Sequence, residues 1–225
     1  MRGLRWFPLL VFFLLVAILP LFFGHLFAAA LIKLKLEPAT ALLVVIGIFV
    51  GSVINIPVKR LSRTESVLVD PLAVFGLPSW WPILQRVRRE TIIAVNVGGC
   101  LIPVALAIYE TAHLAIAGRQ ALLGLTIAVV INTGVCYWMA KPMKGIGITM
   151  PGLFPAIVAA MTALLLVPDQ AAPVAFVAGV LGPLIGADLL HLRDIEKIAT
   201  GIASIGGAGT FDGIVLSGIV AAYLA

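Results

Sequence analysis

Seven apolar runs of about twenty residues each follow one another along this chain of 225 residues, and that recurrence constrains its fold more than any motif does. A run of that length crosses the ~30 Å hydrocarbon core of a bilayer as a helix. The expected spans are 7–32, 39–58, 91–109, 120–140, 145–167, 171–192 and 200–225. Charged residues make up only 11% of the chain, whereas soluble domains carry roughly 25%. The sequence therefore predicts an all-α polytopic transmembrane helix bundle, a single integral membrane domain over 1–225, with the lipid bilayer as its surroundings.

The net charge of +5 is compatible with a nucleic-acid partner, but none is expected. The cations sit between the apolar runs, where the positive-inside rule accounts for them. With seven spans, 12 of the 15 Lys and Arg residues fall on one side, and only Lys33, Lys35 and Arg119 fall on the other. That split puts the amino terminus in the cytoplasm and the carboxyl terminus outside an inner membrane. The first run is longer than the 7–15 residues of a signal-peptide core, so it reads as a retained span. The one long connection, 59–90, carries Trp80 and Trp81 among arginines. It reads as a cytosolic, interfacial segment, with a lid or docking surface as the alternative. Pro71, Pro78 and Pro82 argue against one long helix there.

Cys100 and Cys136 lie inside apolar runs without Cys-x-x-Cys spacing and read as buried thiols. His25 and His113 belong to different runs, and no His-x-x-x-His occurs, so no metal is expected. No cofactor is expected either, because Gly207-Ala208-Gly209 lacks the spacing of a dinucleotide loop.

Two related stretches, GSVINIPV (51–58) and NVGGCLIPV (96–104), combine glycine, asparagine and proline within apolar runs. Proline removes a helical hydrogen bond, and an asparagine amide can satisfy the freed backbone. Asn55 and Asn96 are thus candidates to line a cavity at helix breaks. The alternative is that they act, with Asn132, as interhelical hydrogen-bond glue. Pro151 and Pro155 open the fifth run and mark an unwound or re-entrant piece facing the same cavity.

The sharpest candidates are Asp188 and Asp212, because a carboxylate at the centre of a membrane helix costs at least ~2.5–3.5 kcal/mol. Asp188 precedes Arg193 by five residues, a depth of ~7 Å at helical rise. A continuous seventh helix from Lys197 would carry Asp212 ~22 Å deep and separate the two. Gly201, Gly206, Gly207 and Gly209 are poor helix formers. A non-helical loop at 206–209 would start the last helix near Asp212 and bring it level with Asp188. His191, three residues after Asp188, can join as a proton relay. Two such carboxylates titrate as a pair and do not readily both ionise.

GGAGTFDGIVLSG resembles the Gly-x-Gly-Asp helix of intramembrane aspartyl proteases (presenilin, signal peptide peptidase, prepilin peptidase), with Phe211 where that family has glycine. The resemblance implies hydrolysis of a membrane peptide by Asp188 and Asp212. INIPV, NVGGCLIP, GADLLHL and SIGGAGTFDG resemble a family of uncharacterised polytopic proteins of bacteria and archaea. That likeness implies a membrane protein and no assigned activity. The same residues suit a proton- or cation-coupled transporter or channel for a small solute. A non-catalytic assembly role is the third reading, with Asp212 merely capping the last helix.

The charge split makes a direct prediction. Reporter fusions after Ala225 should read external, and fusions within 141–144 cytosolic. A cytosolic signal after Ala225 contradicts the seven-span count.

Overall fold

The computed structural model describes residues 7–69, 83–143, 147–198 and 201–225. Arg2, Arg5, Lys144, Trp80, Trp81, Pro71, Pro78 and Pro82 lie outside the described residues. A tight turn joins α1 (Phe7–Lys33) to α2 (Pro38–Gly51), and the chain then turns extended instead of continuing as a helix. Strand β1 (Asn55–Val69) pairs antiparallel with β2 (Ile83–Asn96), with Asn55 opposite Asn96. A π-helical turn, Val97–Leu101, leads into α3 (Ile102–Ala117), and α4 (Arg119–Met139) follows. A small hairpin of β3 (Lys141–Met143) and β4 (Gly147–Thr149) precedes α5 (Leu153–Leu166). Then come α6 (Ala171–Pro183), a second π-helical stretch (Leu184–Leu189) and α7 (Leu192–Ile198). The chain closes with β5 (Ile202–Ile205), a 3-10 turn (Gly209–Phe211) and α8 (Gly213–Leu224). Strand β5 adds parallel to β2, giving the order β1-β2-β5.

The architecture is a membrane-type helix bundle with minor sheets. Three described helical stretches are long and apolar enough to cross a membrane: Val97–Ala117, Arg119–Met139 and Pro168–Leu189. Four shorter apolar helices stand in the remaining expected positions. At 1.5 Å per residue, the 12 residues of α8 reach about 18 Å and the 14 of α2 about 21 Å. Both fall short of a ~30 Å core.

The expected helical spans 39–58 and 91–109 are corrected here. INIPV and the residues before Asn96 are strand, and the long connection begins as an extended hairpin. Pro57 sits on the edge strand β1, where the register shifts between Pro57 and Lys59. An edge or a bulge is where a sheet tolerates proline.

Small residues fill much of the interior, and many large ones face outward. Ala156, Ala159, Ala163, Ala175, Ala178 and Ala221 are fully buried, whereas Leu43, Val50, Ile116, Leu165 and Trp138 are exposed. Without a hydrophobic force between helices in lipid, close backbone approach and interhelical hydrogen bonds hold such bundles together. Helix α6 is the hub: it packs against α3, α4, α5 and α8, and most of its residues are buried. Asn132 of α4 donates from Nδ2 to Ala178 O of α6 at 2.8 Å, so the glue reading holds for this asparagine. A Cβ on Gly218 would press on Val180 and Phe176, and one on Gly186 would press on α4 at Cys136.

All strands and α7 gather at one end of the bundle, with α7 packed against β3 and β4. At the other end Lys33 Nζ donates to Tyr223 O at 2.6 Å. A close backbone approach joins the end of α2 to the first π-helical turn. A Cβ on Gly98 would strike the Ile48 carbonyl oxygen and come within 2.5 Å of Ser52 N. Gly98→Ala should therefore cost about 1–3 kcal/mol of stability, as overpacking does. Gly134→Ala, with nothing within 4 Å of the added methyl, should be neutral or slightly stabilising. Denaturation of the two purified variants in detergent checks this; equal losses contradict the close approach.

Candidate functional site

Three chain segments leave helical geometry at the same level of the bundle. They are the end of α2 (Gly51–Ile54), the β2-to-α3 junction around Asn96, and the turn between β5 and α8. Buried backbone outside regular helices must find its hydrogen bonds within the protein or with water. Asn96, fully buried, supplies most of them here. Its Oδ1 accepts from Gly99 N at 2.7 Å and so caps the π-helical turn. Its Nδ2 donates to Ser52 O at 2.7 Å and to Asn55 Oδ1 at 3.1 Å. Ser204 Oγ of β5 donates to the same Asn55 Oδ1 at 2.6 Å. Ser52 Oγ donates to Ile48 O and meets Thr210 Oγ1 at 2.8 Å, which ties α2 to the last turn.

Glycine makes the crossing fit. Gly206 and Gly209 have φ of +70° and +61°, the left-handed region that only glycine occupies readily. A Cβ on Gly99 would strike Gly206 O, and one on Gly209 would come within 2.5 Å of Ser52 Cβ. Gly206 to Ala208 form a non-helical turn, the 3-10 turn Gly209–Phe211 follows, and the last α-helix begins only at Gly213, as the glycine density predicts.

Asp212 is the N-cap of α8. Its Oδ1 accepts from Ile214 N at 3.0 Å and its Oδ2 from Ala208 N at 3.3 Å. Asp188 lies in the second π-helical stretch, half-buried, with the Gly206 backbone N–H near its carboxyl. The two carboxyl groups lie within electrostatic reach of one another. Both line one cavity of about 510 Å³, shared with Asn55, Gly207, Ala208 and the whole of β5. Gly147 and Ile148 of β4 and Ile195 of α7 complete its wall. That volume falls in the ~300–1,000 Å³ range of ligand sites.

The other expected cavity residues are placed differently. Asn96 sits one layer behind, orienting Asn55. Gly209 packs on Ser52 and is not among the lining residues. His191 is 8% exposed, with Nδ1 3.0 Å from Gly186 O and its ring against Tyr137. It serves a carbonyl in the π-helical stretch instead of opening onto the cavity. Pro151 lines a neighbouring groove of about 740 Å³ with Trp138, Met139, Lys141, Thr149 and Met150. Helix α5 begins only at Leu153, so Pro151 stands in the connection from β4 to α5 and is not among the residues lining the acids' cavity.

Two features were not singled out from the sequence. Ser204 was one hydroxyl in a glycine-rich stretch, and only its pairing with Asn55 gives it meaning. Glu110 is 1% exposed, with Oε1 lacking a partner among the described residues. An expected span ending at 109 left Glu110 outside. Because 91–96 is strand, the helix shifts and Glu110 falls inside α3. The two buried thiols, Cys100 and Cys136, are free as expected.

No curated protein and no solved structure matches the chain. Nothing in these comparisons supports kinship with aspartyl proteases. A family model described as "protein of unknown function (DUF1614)" matches residues 49–224, which takes in all three converging breaks and both aspartates. The chain belongs to that family of membrane-type helical proteins.

Proposed function

We propose that this protein hydrolyses a backbone amide of a membrane peptide, with Asp188 and Asp212 as the acid pair. The observation that carries the reading is that both carboxyls line one cavity with β5. Capping a helix needs only one side chain, and Ser, Thr or Asn would do it as well. It gives no reason for a second acid on the same cavity.

The chemistry balances with one shared proton. The ionised carboxylate takes a proton from water while the water oxygen bonds to the amide carbon. The protonated partner gives its proton to the carbonyl oxygen, forming a diol. Collapse of the diol breaks the C–N bond. The amine leaves with a proton, and the pair again holds one.

Strand β5 supports a peptide substrate. It pairs with β2 on one side, and on its other side no strand lies among the described residues. An open edge offers unpaired N–H and C=O groups to an extended chain. A peptide added there would run along the cavity wall, its carbonyls beside the acids. The positive-inside count puts this end of the bundle on the cytoplasmic side.

A second reading, proton- or cation-coupled transport, rests on Glu110. A carboxyl buried in the membrane is a functional candidate by default, and transporters use such groups to carry protons. The two readings separate cleanly. Asp188→Asn and Asp212→Asn should each reduce cleavage of an apolar reporter peptide at least 10³-fold in detergent, with no gradient present. The purified variants should remain monodisperse and thermally stable. Unchanged cleavage in either variant overturns the hydrolytic reading. Gradient-dependent uptake lost in Glu110→Gln proteoliposomes, without peptide cleavage, would establish transport instead.

A further inference from the structure

The orientation of one carboxamide is settled by the bonds around it. Gly99 N–H can only donate, so the Asn96 atom facing it is the oxygen. The Asn96 amine therefore lies on the other side, donating to Ser52 O and to Asn55. The Asn55 atom receiving that bond is in turn the oxygen, and the Ser204 hydroxyl donates to it as well. With Oδ1 held by two donors, the Asn55 amine points away from them. It has no partner among the described residues, and Asn55 is an exposed residue of the cavity that also holds Asp188 and Asp212.

We infer that Asn55 is a catalytic residue whose amine donates to the carbonyl oxygen of a peptide held between the two acids. The inference rests on the hydrolytic reading above and adds an electrophilic group to it. Charge builds on that oxygen as water adds, and a donor fixed in advance stabilises it without reorganising. Asn96 and Ser204 are positioning residues: they hold the oxygen of Asn55 and so aim its amine. The buried network behind the cavity thereby acquires a purpose beyond holding strands together.

The test uses full-length protein in detergent with a blocked apolar reporter peptide. Asn55→Asp keeps an oxygen for Asn96 and Ser204 but removes the amine; Asn55→Ala removes it without adding charge. Both should lose about 10²–10³ in kcat, the cost of one such donor, with KM changed less than about threefold. Ser204→Ala should lose about tenfold, because one of the two bonds aiming Asn55 remains. Binding is read separately. The chain has three asparagines, Asn55, Asn96 and Asn132, so ¹⁵N-asparagine labelling gives three side-chain amine signals. In Asp188→Ala protein the Asn55 signal, assigned by its loss in Asn55→Asp, should shift on adding the peptide.

Cleavage by the wild type with kcat kept in both Asn55 variants overturns this role and leaves the acid pair standing. No cleavage by the wild type, with the Asn55 signal still shifted, removes the hydrolytic reading and leaves Asn55 as a carbonyl-binding group. An Asn55 signal unmoved by saturating peptide overturns the inference whatever the wild type cleaves.

Discussion

Buried backbone that leaves helical geometry must find its hydrogen bonds within the protein, and the buried Asn96 carboxamide meets that constraint here. An amide buried without a partner costs roughly 2–7 kcal/mol. Three breaks at one level would carry several such groups. Asn96 serves the π-helical turn through Gly99, the end of α2 through Ser52, and β1 through Asn55. Ser204 and Thr210 bring in the third break. Each bond contributes a net ~0.5–1.5 kcal/mol, and losing any of them would strand a polar group.

The site follows from this knot. The breaks end α2 early and start α8 late, and the residues beside them, Asn55, Gly207, Ala208 and Asp212, line the cavity. Glycines 98, 99, 206 and 209 let the backbones cross closely enough for Asp212 to begin its helix on the same cavity as Asp188. A continuous last helix would have carried Asp212 up the bundle. Strand β5 exists because that helix is delayed, so the acids and the open strand edge share one cause.

The sequence made part of this legible. Glycine density and the length of the final apolar segment foretold a late-starting helix capped near Asp212, since both are local properties. The strands were hidden, because a short buried apolar run rich in Ile and Val looks alike in a strand and in a helix. Pro57, tolerated on an edge strand or at a bulge, was the available signal and was read as a helix kink. Taking 91–96 as helix instead of strand hid Glu110 too. His191 was placed by its nearness to Asp188 and Pro151 by the helix break it marks, but His191 serves the Gly186 carbonyl and Pro151 lines a neighbouring groove.

The central claim is that the converging breaks hold the two acids together, and short-span cross-linking tests it most directly. With Cys100 and Cys136 replaced by alanine, Asp188→Cys/Asp212→Cys protein in native membranes should be bridged readily by a bifunctional thiol reagent spanning ~8 Å or less, the reach over which paired acids act. Bridging only by reagents longer than ~12 Å, where two carboxyls no longer share a proton, would contradict the account.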